Sequence, residues 1–69
     1  MAFTSLTPLA WLIHDAEANL AAAESVWRYR ARELDARPSQ LALDLARDAG
    51  IGVREACDTL EALRAQVAA

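Results

Sequence analysis

The 69-residue chain has no lysine, one cysteine (Cys57), one histidine (His14), two glycines and four aromatic residues. Each shortage removes a possibility. A lone cysteine excludes an internal disulfide. With His14 as the only other soft ligand, a structural zinc site lacks the four donors it wants. The glycines stand together at Gly50 and Gly52, so there is no glycine-rich phosphate loop. No segment alternates polar and apolar residues with period two, and no Asn-Gly or Asp-Gly pair marks a hairpin, which argues against strands. No run approaches the roughly 18 uncharged apolar residues of a membrane span. The opening "MAFTSLTPLAWLI" has no basic residue before its apolar run and no clear cleavage site, so the expectation is a protein of the reducing cytoplasm.

Hydrophobic residues make up 55% of the chain, yet many are alanine, which buries little area. The net charge is −3, and all seven basic residues are arginine, a side chain better suited to interfaces than lysine. A core this small rarely contributes more than about 3–5 kcal/mol, and no staple is at hand. Self-association is the remaining source of stability, and a homodimer is expected.

Helical signals dominate. Thr7-Pro8 joins a hydroxyl cap to a proline at the first helical position, and nothing interrupts the pattern until about residue 35. Leu9, Ile13, Ala16, Leu20, Ala23, Trp27, Arg30 and Leu34 recur at spacings of three and four, a heptad seam with one polar intruder at Arg30. Glu24 with Arg28 and Glu33 with Arg37 stand in the favourable i,i+4 order. "ARPSQ" then ends the helix: Pro38 pushes Arg37 out of helical geometry, and Ser39 can cap the next helix. Leu41, Leu45 and Ala49 define that second helix over about 40–49. Gly50 sits where a helix end favours a left-handed residue. Val53, Ala56, Leu60, Leu63 and Val67 define a third helix over about 53–67.

The predicted fold is therefore a single all-α domain over 1–69. It is a helical hairpin in which one long helix (about 8–35) faces two short ones (about 40–49 and 53–67). The seam of Leu9, Ile13, Leu20, Trp27, Leu34, Leu60 and Leu63 supplies core and dimer contacts.

"LARDAGIGVREACDTLEAL", residues 45–63, has the layout of a helix-turn-helix. Its "VREACDTLEAL" portion resembles the recognition-helix region of bacterial winged-helix repressors, which implies a DNA-binding regulator using residues 41–64. Gly50-Ile51-Gly52 with Leu60 is also similar to the ubiquitin-associated-like module of bacterial elongation factor Ts. Charge opposes the DNA reading. Residues 38–69 carry three arginines against five acids, and Glu55, Asp58 and Glu61 would meet phosphates that repel them. Four arginines among residues 28–37 are interrupted by Glu33 and Asp35, so nucleic acid is an unfavoured partner there too.

No catalytic constellation is present. His14 with Asp15 and Glu17 supplies neither a closed metal site nor a nucleophile. Cys57 lies near the third helix's seam, beside Asp58, and reads as a small buried hydrophobe. The chain is read as non-enzymatic, with no metal and no cofactor.

The face of the long helix opposite its seam reads Trp11, Asp15, Ala18, Ala22, Ser25, Tyr29. Aromatics separated by small residues form a smooth contact surface, and Arg28 and Arg32 beside Tyr29 add guanidinium groups of the kind found at interface hot spots. Internal packing of this stripe, on a dimer mate or on the shorter helices, is the alternative. Size, acidity and helical organisation over the whole chain are similar to the small helical anti-activators of phages and bacteria, such as the phage quorum-sensing inhibitors. That resemblance implies a regulator that binds and inhibits another protein, with Trp11, Ala18, Ala22, Arg28, Tyr29 and Arg32 as the partner-binding residues proposed from the stripe. A structural subunit of a larger assembly is a further reading.

Overall fold

The computed structural model describes residues 8–68, which form two helices, α1 (Pro8–Ala36) and α2 (Gln40–Ala68). The Thr7 cap lies outside the described residues. Each helix has 29 residues and is about 43 Å long at 1.5 Å per residue. Residues 37–39 turn the chain so that α2 runs back along α1. Proline at position 38 stops α1 as its ring geometry requires. The Ser39 hydroxyl then accepts a hydrogen bond from the Ala42 amide at 3.0 Å, satisfying one of the donors that a helix start leaves orphaned. Gln40 Nε2 donates to Asp44 Oδ1 at 2.9 Å on the first turn.

The helical hairpin matches the predicted architecture, but its returning arm is one helix and not two. Residues 50–52 continue α2 without a corner, and neither glycine adopts positive φ. The reason is the seam. Leu45, Ala49, Val53, Ala56, Leu60 and Leu63 keep an unbroken three-four spacing through the glycines, so one continuous helix keeps all of them among its less exposed positions. Gly50 also packs against α1. A Cβ there would stand 3.5 Å from Trp27 Nε1 and 3.6 Å from its Cδ1, so the indole lies flush against helix surface that lacks a side chain. The helix-turn-helix and elongation-factor-like expectations both needed a corner at this point.

On α1 the less exposed positions include Leu9, Ile13, Ala16, Leu20, Ala23, Arg30 and Leu34, which is the predicted seam turned toward α2. Trp27 departs from it and is 45% exposed. Burial is thin throughout. Among the described residues, only Ala16 and Leu60 are fully enclosed hydrophobics. Two helices make a single layer, and a layer has no interior.

Candidate protein-interaction surface

Helical periodicity carries Trp11, Asp15, Ala18, Ala22, Ser25 and Tyr29 along the side of α1 away from its seam, and all six are exposed. Trp11 is 53% and Tyr29 55% exposed, so the described fold of one chain does not bury the stripe internally. The eighteen-residue interval from Trp11 to Tyr29 corresponds to about 27 Å of helix. The two ends differ in chemistry. Trp11 meets His14 edge-on, with ring centroids 6.4 Å apart and planes at 84°, and with Ala10 and Glu17 they frame a shallow concavity. At the other end the Arg30 guanidinium carbon stands 5.5 Å from the Tyr29 ring centroid, in cation–π range.

The "VWRYRAR" segment thus divides between two surfaces. Arg30, read from the sequence as an intruder in the seam, is the arginine that reaches Tyr29. Its side chain starts on the flank of α1, beside Tyr29, where the backbone places consecutive residues a hundred degrees apart. Arg28 projects the other way. Together with Glu24 and Trp27 of α1 and Gly50, Val53, Arg54, Cys57 and Asp58 of α2 it lines an open groove of about 560 Å³. Trp27 supplies the groove with an aromatic wall, while Glu24, Asp58, Arg28 and Arg54 balance its charge. Arg32 is exposed on the outward side of α1, closer to the stripe than to the groove. Of the six proposed partner-binding residues, Trp11, Ala18, Ala22, Tyr29 and Arg32 share the outward side, and Arg28 belongs to the groove.

Among the described residues the only ion pair joins Arg64 Nη2 to Glu17 Oε2 at 3.3 Å, between side chains more than half exposed. It ties the two helices on the groove side of the hairpin and contributes little stability, because water screens it. The i,i+4 pairs Glu24–Arg28 and Glu33–Arg37 do not close.

Cys57 is half-buried, and its Sγ donates to Glu61 Oε1 at 3.8 Å. Desolvation raises the thiol pKa above its ordinary value. The negative charge of Glu61, the hydrogen bond to it, and the charges of Asp58 and Glu24 push in the same direction. The thiol is held protonated at neutral pH, the opposite of what a nucleophile needs. No group of three or more His, Cys, Asp or Glu side chains converges among the described residues, and no described helix is long and apolar enough to cross a membrane.

No protein-family model matches the chain, and neither the curated proteins nor the solved structures include a significant match to it.

Proposed function

We propose that this chain is a non-enzymatic, homodimeric helical hairpin that binds another protein through the outward side of α1 and thereby inhibits or modulates it. The observation that carries the reading is the exposure of Trp11 and Tyr29 at the two ends of a stripe floored by Ala18, Ala22 and Ser25. Folding alone gives no reason to keep two large aromatics in water along one smooth line, whereas burying such residues dominates the energetics of protein interfaces. Arg32 on the same side and the Arg30 guanidinium against Tyr29 favour a partner with acidic groups around an apolar patch. A helix-turn-helix reader would need two helices meeting within residues 41–64, and that segment lies inside α2.

The test is affinity capture from the native host, run in parallel with wild type, Tyr29→Ala and Arg32→Ala. A partner retained by wild type should lose on the order of 1–3 kcal/mol of binding to each variant, the range of interface hot spots. Circular dichroism and sedimentation should show both variants as helical and associated as wild type. Equal capture by all three proteins would refute the assignment of the surface. Unfolding of Tyr29→Ala would show that the stripe is core.

A further inference from the structure

Among the large apolar residues of the predicted α1 seam, Leu9, Ile13, Leu20 and Leu34 are half-buried, whereas Trp27 stays 45% exposed. Its indole rests on Gly50 and, with Val53 and Cys57, makes the apolar floor of the groove between the helices. Four charged side chains flank that floor: Glu24 and Arg28 from α1, Arg54 and Asp58 from α2. None of them closes an ion pair among the described residues, where the only such pair is Arg64–Glu17. Their order follows from the antiparallel hairpin. Each helix contributes an acid and an arginine four residues apart, and on both helices the arginine is the nearer to the turn at residues 37–39. Four residues correspond to about 6 Å of helix. Both rails of the groove therefore run from positive to negative in the same direction, away from the turn. The Trp27–Gly50 contact sets their register. Arg28 stands at the turn end, Glu24 and Arg54 are about level in the middle, and Asp58 lies about 13 Å beyond Arg28 toward the open end. The charges of both Asp58 and Glu24 reach the Cys57 thiol, which places the acidic end beside it.

We infer that this groove receives one amphipathic helix of another protein, which sets an apolar seam on Trp27 and Val53 and carries, on each flank, an acid facing the arginine and a base one turn on facing the carboxylate. The inference concerns a surface other than the outward stripe and does not rest on it. The walls select a helix. Both are helices whose backbone groups are bonded within themselves, so there is no edge with which an extended strand could pair. The occupant must bring a backbone that is already satisfied. Openness selects a helix as well. Small-molecule sites enclose most of their ligand, whereas this groove is open along its length. A third helix laid in it covers the indole and gives the single layer of two helices the second layer it lacks. Charge then selects the flanks. A uniformly acidic helix would meet Glu24 and Asp58, and a uniformly basic one Arg28 and Arg54. Acid and base four residues apart match both rails at once. With the acid first, that spacing also stabilises the occupant itself, so it runs from the turn toward the open end, in the direction of α2.

Fluorescence of the full chain carrying Trp11→Phe, in which Trp27 is the only indole, tests this. The probes are three synthetic helical peptides of three heptads, each with a leucine seam and no tryptophan. One carries glutamate on both flanks in its first half and lysine in its second; the others carry glutamate throughout or lysine throughout. The mixed peptide should shift the Trp27 emission to the blue and bind at least tenfold more tightly than either uniform peptide. Arg28→Glu with Arg54→Glu makes the groove wholly acidic and should reverse the ranking, with the lysine peptide at least tenfold tighter than the mixed one. Arg37→Glu, a charge reversal outside the groove, should keep the original ranking. Emission unmoved by the mixed peptide up to 100 μM, or moved equally by all three, would overturn the inference. A shift with the chain's own concentration in the absence of peptide would overturn it too, by putting a second copy in the groove. The ranking on the chain with its arginines intact decides the matter even if the charge-reversed variant unfolds.

Discussion

Replacing Gly50 by alanine should make the hairpin more stable, and the size of the gain follows from three features of the site. The residue is in the interior of α2 with negative φ, so alanine fits its backbone without strain. Glycine at such a position costs roughly 0.5–1 kcal/mol relative to alanine, chiefly because the unfolded chain has more freedom to lose. The added Cβ would touch Trp27 at 3.5 Å and 3.6 Å, ordinary van der Waals distances at which the indole need not move. The expected gain is therefore about 0.5–1 kcal/mol, or a rise in Tm of roughly 2–8 °C for a domain of this size. Thermal melts followed by circular dichroism at one fixed protein concentration read it directly.

The same measurement separates the two ways of folding residues 45–63. If Gly50 ended a helix in a left-handed conformation, alanine there would lose about 1 kcal/mol or more. A lower Tm for Gly50→Ala would thus refute the continuous helix, and with it the account of Trp27 packing. It would also restore the corner that a helix-turn-helix requires. Gly50→Leu gives the converse control: a side chain of that length must displace the indole, and the gain in helix propensity should be cancelled or reversed.

Leu20→Asp places a charge in the half-buried α1 seam with no partner, and should cost at least about 3 kcal/mol, enough to remove most of the helical signal at 25 °C. Ser39→Ala deletes the hydroxyl that caps α2 and should cost about 1 kcal/mol in the same melts. Cys57 should alkylate slowly with iodoacetamide at pH 7.5 and speed up on denaturation, and equal rates in both states would contradict the protonated, shielded thiol. Because its pKa is raised in the folded state, stability is unaffected while both states hold the proton. It then falls as pH climbs from the ordinary thiol range, about 8.5, toward the raised value. Cys57→Ser should lessen that alkaline loss.

Much of the first helix was legible because its signals are local. Proline at position 8 and the Pro38–Ser39 pair act on the residues beside them, and α1 spans Pro8–Ala36 against the expected 8–35. The seam was legible for a related reason, since its period is that of the helix itself. The glycines misled because Gly50 offers the same local signal whether it ends a helix or receives a side chain from elsewhere. What distinguishes the cases is the phase of the seam, and Ala49 to Val53 is a step of four, in register across the supposed corner. Trp27 was likewise placed on the seam by its angle, but the width of an indole carries it over Gly50 and out to the groove. Which arginine meets Tyr29 could not be read from adjacency, because Arg28 and Arg30 flank it equally in sequence and leave the helix on different sides.

One distribution of residues connects these observations. The large side chains of α1 are only partly gathered on the face that meets α2, where Leu9, Ile13, Leu20 and Leu34 stand. Leu12, Val26, Trp11, Trp27 and Tyr29 are all about half exposed or more, while the residues between the helices include Ala16, Ala23, Ala42, Ala46, Ala49 and Ala56. Alanine between helices allows close approach but removes little apolar surface from water, so the hairpin alone has modest stability. The aromatic residues stand instead on two other surfaces, Trp11 and Tyr29 on the outward stripe and Trp27 at the groove. If the chain associates and binds as proposed, part of its stability comes from those contacts, and mass action makes its Tm depend on its own concentration and on that of its partner. A Tm that did not change between 1 and 100 μM would contradict that arrangement whatever the variants showed.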